Sequence, residues 1–73
     1  MVEELQQLVG AILGVHRVTP SDRLVEDLEA ESIDVVNIVA AVEEGYGIDL
    51  DDTALAEVRT VADLEAVVRA ALE

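Results

Sequence analysis

A single aromatic side chain, Tyr46, and no cysteine stand among the 73 residues of this chain. That scarcity constrains the fold more than any other feature, because neither disulfides nor cysteine-held metals can staple the structure. The core must therefore be aliphatic. Hydrophobic residues reach 52% against 29% charged, a balance that favours a packed core over intrinsic disorder. The chain is too short to divide into two parts that each bury a core, so residues 1–73 are expected to form one domain. Set against ~1.5 kcal/mol of conformational entropy per ordered residue, a small aliphatic core leaves little surplus, and modest stability is expected.

Seventeen Asp and Glu oppose four Arg, for a formal net charge of -13. Such a chain repels nucleic-acid phosphates and anionic headgroups, so its expected partners are basic and nucleic acid is not among them. Glu3 and Glu4 stand where a secretory signal would carry positive charge, and no apolar run approaches the ~20 residues of a membrane span. The sequence reads as a soluble, cytoplasmic monomer. Without thiols, its redox compartment is left open.

Apolar spacing then assigns the elements. Leu5, Leu8, Val9, Ile12 and Leu13 form one helical stripe that begins beneath Glu3 and Glu4 and stops at Gly14. From Val15 to Glu31 runs a long connection containing the turn cluster Thr19-Pro20-Ser21-Asp22, in which Asp22 can accept from nearby amides. Loops of this length are uncommon in compact domains, so Leu24, Val25 and Leu28 are expected to anchor it. A second helix spans Ser32 to Glu44: Val35, Ile38, Val39 and Val42 make a buried stripe, while Ile33, Val36 and Ala40 extend it onto another face. Gly45 and Gly47 bracket Tyr46 where a cap is needed. A short turn around Thr53 to Glu57 follows. Thr60 and Asp63 then form a capping box ahead of a last helix through Leu72. The expected fold is all-α, a small bundle of three main helices plus one short helix.

The inventory of reactive groups argues against catalysis. His16 is the only histidine, lysine and cysteine are missing, and Ser32 has no sequence neighbour able to deprotonate it. His16 lacks a second histidine at ligand spacing, and the pairs Glu43-Glu44 and Asp51-Asp52 lie in no calcium-loop pattern, so no metal site is expected. On position alone, Ser32 reads as the N-cap of helix two.

The segment Asp27-Leu28-Glu29-Ala30-Glu31-Ser32-Ile33-Asp34 resembles the attachment motif of acyl carrier proteins, Leu-Gly-Ala-Asp-Ser-Leu-Asp ahead of an apolar helix. Val42-Glu43-Glu44-Gly45-Tyr46-Gly47-Ile48-Asp49-Leu50 is similar to the family's Leu-Glu-x-x-Phe-Gly-Ile-x-Ile, and Thr60-Val61-Ala62-Asp63-Leu64 to its Thr-Val-x-Asp. With Thr19-Pro20 and Leu24 to Leu28, the resemblance covers nearly the whole chain. It implies a freestanding carrier, not an enzyme, whose Ser32 bears a covalent 4'-phosphopantetheine. That arm would hold acyl intermediates as thioesters for fatty-acid, polyketide or related synthesis and supply the thiol this chain lacks. Its negative phosphodiester would suit a helix N-terminus.

The implied partners are a phosphopantetheinyl transferase and acyl-loading, condensing and acyl-transfer enzymes with basic docking patches. Glu31, Ile33, Asp34, Val36, Glu43 and Glu44 are the expected recognition residues, with Asp34 assisting the transferase's Mg. Glu29 replaces a common glycine, Glu31 a usual aspartate and Ile33 a leucine. Asn37 and Ala40 stand where many fatty-acid carriers have an acidic and a larger apolar residue, which points to a specialised pathway. Two rivals remain: an aminoacyl or peptidyl carrier, which often shows Gly-Gly where this chain has Glu29-Ala30-Glu31, and an unmodified acidic interaction module in which Ser32 is only a cap.

Overall fold

A computed structural model describes residues 1–73. Four helices follow one another: α1 (Val2–Leu13), α2 (Ser32–Tyr46), α3 (Asp52–Leu55) and α4 (Val61–Leu72). The α1 stripe turns Leu5 and Val9 fully inward, where they meet Ile38 and Val42 of α2 and Val61, Leu64 and Val68 of α4. Complete burial of a Val, Leu or Ile side chain contributes about 1.5–3 kcal/mol, so this aliphatic layer holds the bundle together. α1 packs against both α2 and α4, and α3 rests on α4. Leu8, Ile12, Leu13, Val35, Tyr46, Ile48 and Leu50 seal its margins half-buried.

Three ends of the helices differ from expectation, among them that of α3, which stops at Leu55, two residues short of Glu57. α2 runs two residues past Glu44, because Gly45 stays helical on the exposed face while Tyr46 adds a last half-buried turn. The cap is Gly47, whose left-handed backbone (φ 66°) lets its N–H reach the Glu43 carbonyl. The short helix begins one residue early, at Asp52, because the Asp51 carboxylate accepts from the Thr53 amide at 3.0 Å. α4 starts as the Thr60–Asp63 box dictates: Thr60 Oγ1 accepts from the Asp63 amide and Asp63 Oδ2 from the Thr60 amide, both at 3.0 Å.

The connection from Val15 to Glu31 is neither loose nor regular. Asp22 Oδ2 accepts from the Thr19 amide at 2.8 Å, as the turn cluster suggests. Backbone bonds then join the segment to the α3–α4 connection: Leu24 N–H donates to Arg59 O, Val61 N–H to Asp22 O and Ala62 N–H to Pro20 O. Arg23 and Thr60 thereby form an isolated antiparallel bridge in a chain without strands. Of the expected anchors, Leu24 is buried and Leu28 half-buried, but Val25 is 56% exposed. The reason is local: Asp27 and Leu28 both donate to Arg23 O, closing a turn whose inward place is held by Leu24. Ala30, buried at 7% exposure, is the second anchor.

Candidate functional site

Ser32 is exposed at the first turn of α2 and is not its N-cap. Glu31 holds the N-cap position in extended backbone (φ -89°, ψ 168°), and its amide donates to Asp34 Oδ2 at 3.0 Å. This corrects the capping role read for the serine: Asp34 supplies the side-chain bond at the helix end, and the hydroxyl is left open to solvent. The approach to Ser32 is fixed by Arg23, which donates through its backbone amide (2.8 Å) and through Nε (3.1 Å) to Asp27 Oδ2, and through Nη2 to Oδ1 (3.1 Å). Those hydrogen bonds hold the Asp27 carboxyl below the usual carboxylate range.

The expected recognition residues fall into two groups. Ile33 and Val36, 59% and 60% exposed, stand with Glu31 and Asp34 around Ser32. Between Asp34 and Glu43, α2 carries no charged side chain, and Asn37 and Ala40 continue the exposed, uncharged surface. Glu43 and Glu44 lie at the far end, about 17 and about 18 Å along the axis from Ser32 at a rise of about 1.5 Å per residue. Glu44 is exposed, whereas Glu43 is half-buried and its Oε2 accepts from the Leu50 amide at 2.8 Å. The Glu43 carboxylate therefore fastens the loop after α2.

One turn beyond Ser32, Val35 opens onto a cleft of about 350 Å³. Leu24 and Val25 of the long connection form one wall, Val35, Ile38 and Val39 of α2 another, and Leu55, Val58 and Leu64 the floor; Glu26 and Arg59 are its only charged members. A larger hollow of about 670 Å³ runs along α1 past Gln6, Gln7, His16 and Arg17, but no residue of α2 lines it. His16 is exposed there, and nowhere do three acidic or histidine side chains gather as a metal site would require. No helix is long and apolar enough to cross a membrane.

The cleft and its arginine were not anticipated. The Thr60–Asp63 box places Arg59 just ahead of α4, but only the pairing of Leu24 with Arg59 brings it beside α2. No spacing in the sequence encodes that crossing.

Ser32 thus stands open at the start of an apolar helix, with an aliphatic cleft one turn beyond it. The family described as "Phosphopantetheine attachment site" matches residues 3–68. An acyl carrier protein of Helicobacter hepaticus is 40% identical over 55 residues, 75% of this chain and 72% of that one. Among solved structures, a protein provisionally assigned as an acyl carrier protein from Mycobacterium tuberculosis superposes with a TM-score of 0.89 at 23% identity, covering 94% of this chain and 95% of that one. A chain in the structure of the ishigamide ketosynthase/chain length factor does so at 0.77 and 20% identity, covering 96% and 90%. The chain belongs to the acyl carrier protein family. Its cofactor is a covalent 4'-phosphopantetheine, and it is a carrier, not an enzyme.

Proposed function

We propose that Ser32 bears the 4'-phosphopantetheine arm and that this carrier holds acyl intermediates as thioesters for fatty-acid, polyketide or related synthesis. The observation that carries the reading is the placement of Ser32: exposed, at the first helical position, with the helix end already bonded by Asp34. The hydroxyl is free for attachment, and the helix N-terminus beside it, the positive end of the dipole, would suit the negative phosphodiester of the arm. The arm supplies the thiol that the chain lacks.

Acyl cargo is favoured over aminoacyl cargo by the cleft behind Ser32, whose walls are almost entirely aliphatic and would leave an ammonium group unsolvated. Ile33 and Val36 offer apolar contact to an approaching enzyme, while Glu31, Asp34, Glu43 and Glu44 carry the charge that basic patches would meet. The partners are a phosphopantetheinyl transferase and acyl-loading, condensing and acyl-transfer enzymes. The likeness to a chain in a ketosynthase/chain length factor structure supports a condensing enzyme among them.

The test is intact mass after incubation with coenzyme A and a phosphopantetheinyl transferase. Wild type is expected to gain one arm, and Ser32→Ala none. An unmodified wild type beside a control carrier that loads, or the same gain in Ser32→Ala, refutes the assignment.

A further inference from the structure

Of the four arginines, Arg23 is paired with Asp27 and Glu26, and Arg69 with Glu65. Arg59 forms no ion pair within 4 Å although the chain carries 17 acidic residues, and its charge acts on the nearby Asp63 carboxylate only from beyond contact. It lines the aliphatic cleft beside α2. Its side chain is exposed, and its Nη1 donates at 3.2 Å to the carbonyl of Ala56, another lining residue of the cleft, while four of its five N–H donors remain available. The backbone on both sides is fixed: Arg59 O accepts from Leu24 N–H, and Arg59 N–H donates to Asp63 Oδ2 at 3.0 Å. Arg17, the other arginine without an ion pair, lies on the polar hollow along α1. Arg59 is therefore the one cationic donor placed against apolar walls.

From this arrangement we infer that Arg59 selects cargo, and that the cleft accepts an acyl chain carrying a neutral oxygen, a ketone or hydroxyl, in preference to a saturated one. The inference rests on Ser32 as the attachment point. Aliphatic walls bind methylenes without discrimination, whereas a donor at the margin separates chains by an acceptor, because a bond to a charged donor is stronger than a neutral one. A saturated chain would cover Arg59 and give its N–H groups nothing in return. Glu26, the other charged residue of the cleft, lies 3.7 Å from Arg23 Nε. That pairing offsets its charge, and an ionised carboxylate on the chain end would be costly to desolvate among aliphatic walls, whereas a neutral oxygen meets the guanidinium at a smaller cost.

The experiment loads the full chain from two synthetic coenzyme A thioesters of equal length, octanoyl and 7-oxooctanoyl, with loading checked by intact mass. Melting temperature and the Arg59 Nε–Hε resonance are then read in wild type, Arg59→Met and Arg59→Lys. In wild type the oxo chain is expected to raise the melting temperature at least about 4 °C above the octanoyl form and to move the Arg59 resonance, which octanoyl leaves in place. Arg59→Met should abolish the difference and Arg59→Lys retain part of it. Equal melting temperatures, an unmoved resonance, or a difference that survives in Arg59→Met each overturns the inference. A chain that takes no arm refutes instead the carrier assignment beneath it.

Discussion

Glu29 sits in left-handed backbone at φ 57°, the only residue other than glycine with a positive φ. It turns the chain between the Arg23–Asp27 latch and the buried Ala30, and so sets the direction from which Ser32 is reached. For a residue with a Cβ that conformation costs roughly 1–2 kcal/mol, which glycine avoids. Glycine also has more unfolded freedom to lose, about 0.4–1 kcal/mol. The steric relief is the larger effect, so Glu29→Gly is expected to stabilise the protein by about 0.5 kcal/mol, read as a higher denaturant midpoint at unchanged slope. Glu29→Gln removes the charge and keeps the Cβ. An equal gain in that variant would assign the effect to charge relief rather than to the backbone.

Asp63 illustrates how one side chain can set an element. Its Oδ2 accepts from the amides of Arg59 and Thr60, each at 3.0 Å, and these bonds, with Thr60 the larger influence, hold its carboxyl below the usual carboxylate range. A depressed folded-state value means the contribution is complete above the unfolded value of about 3.9 and is lost as pH falls through the lower folded one. Asp63→Asn is therefore expected to cost about 1 kcal/mol at pH 7 in 0.15 M salt, with the gap to wild type closing below about pH 4. A gap constant from pH 7 to pH 3 would refute the role of the charge. The start of α4 was legible because both halves of its box lie within four residues of sequence. The end of α2 was not: Gly45 and Gly47 offer the same freedom, and the choice falls to Tyr46 packing and to Glu43 reaching seven residues on to the Leu50 amide. The exposure of Val25 depends likewise on the turn closed at Arg23 O, and the cleft on the crossing of Leu24 with Arg59. Local signals carried the helices and the position of Ser32 at the head of α2, while contacts between distant segments shaped the space around that serine.

At the scale of the whole molecule, charge and size decide together. The bundle measures 30 × 21 × 19 Å, and the Debye length is about 30 Å at 0.01 M salt but about 8 Å at 0.15 M. At low salt every carboxylate thus acts on every other across the fold, whereas at physiological salt only neighbours do. Two effects compete as salt rises. Screening weakens the surface pairs Arg23–Asp27 and Arg69–Glu65, which contribute little in water, and it relieves the mutual repulsion behind a net charge of -13. Repulsion involves many more pairs than the few attractions, so its relief should dominate. The melting temperature is expected to climb between 0.01 M and 0.15 M NaCl, by about 4–8 °C for each kcal/mol regained in a domain of this size. Millimolar MgCl₂ should act in the same direction at lower ionic strength, because a divalent ion neutralises more charge per particle. A scan in which the midpoint stays level or falls would show that the aliphatic core, and not self-repulsion, limits the stability of this carrier.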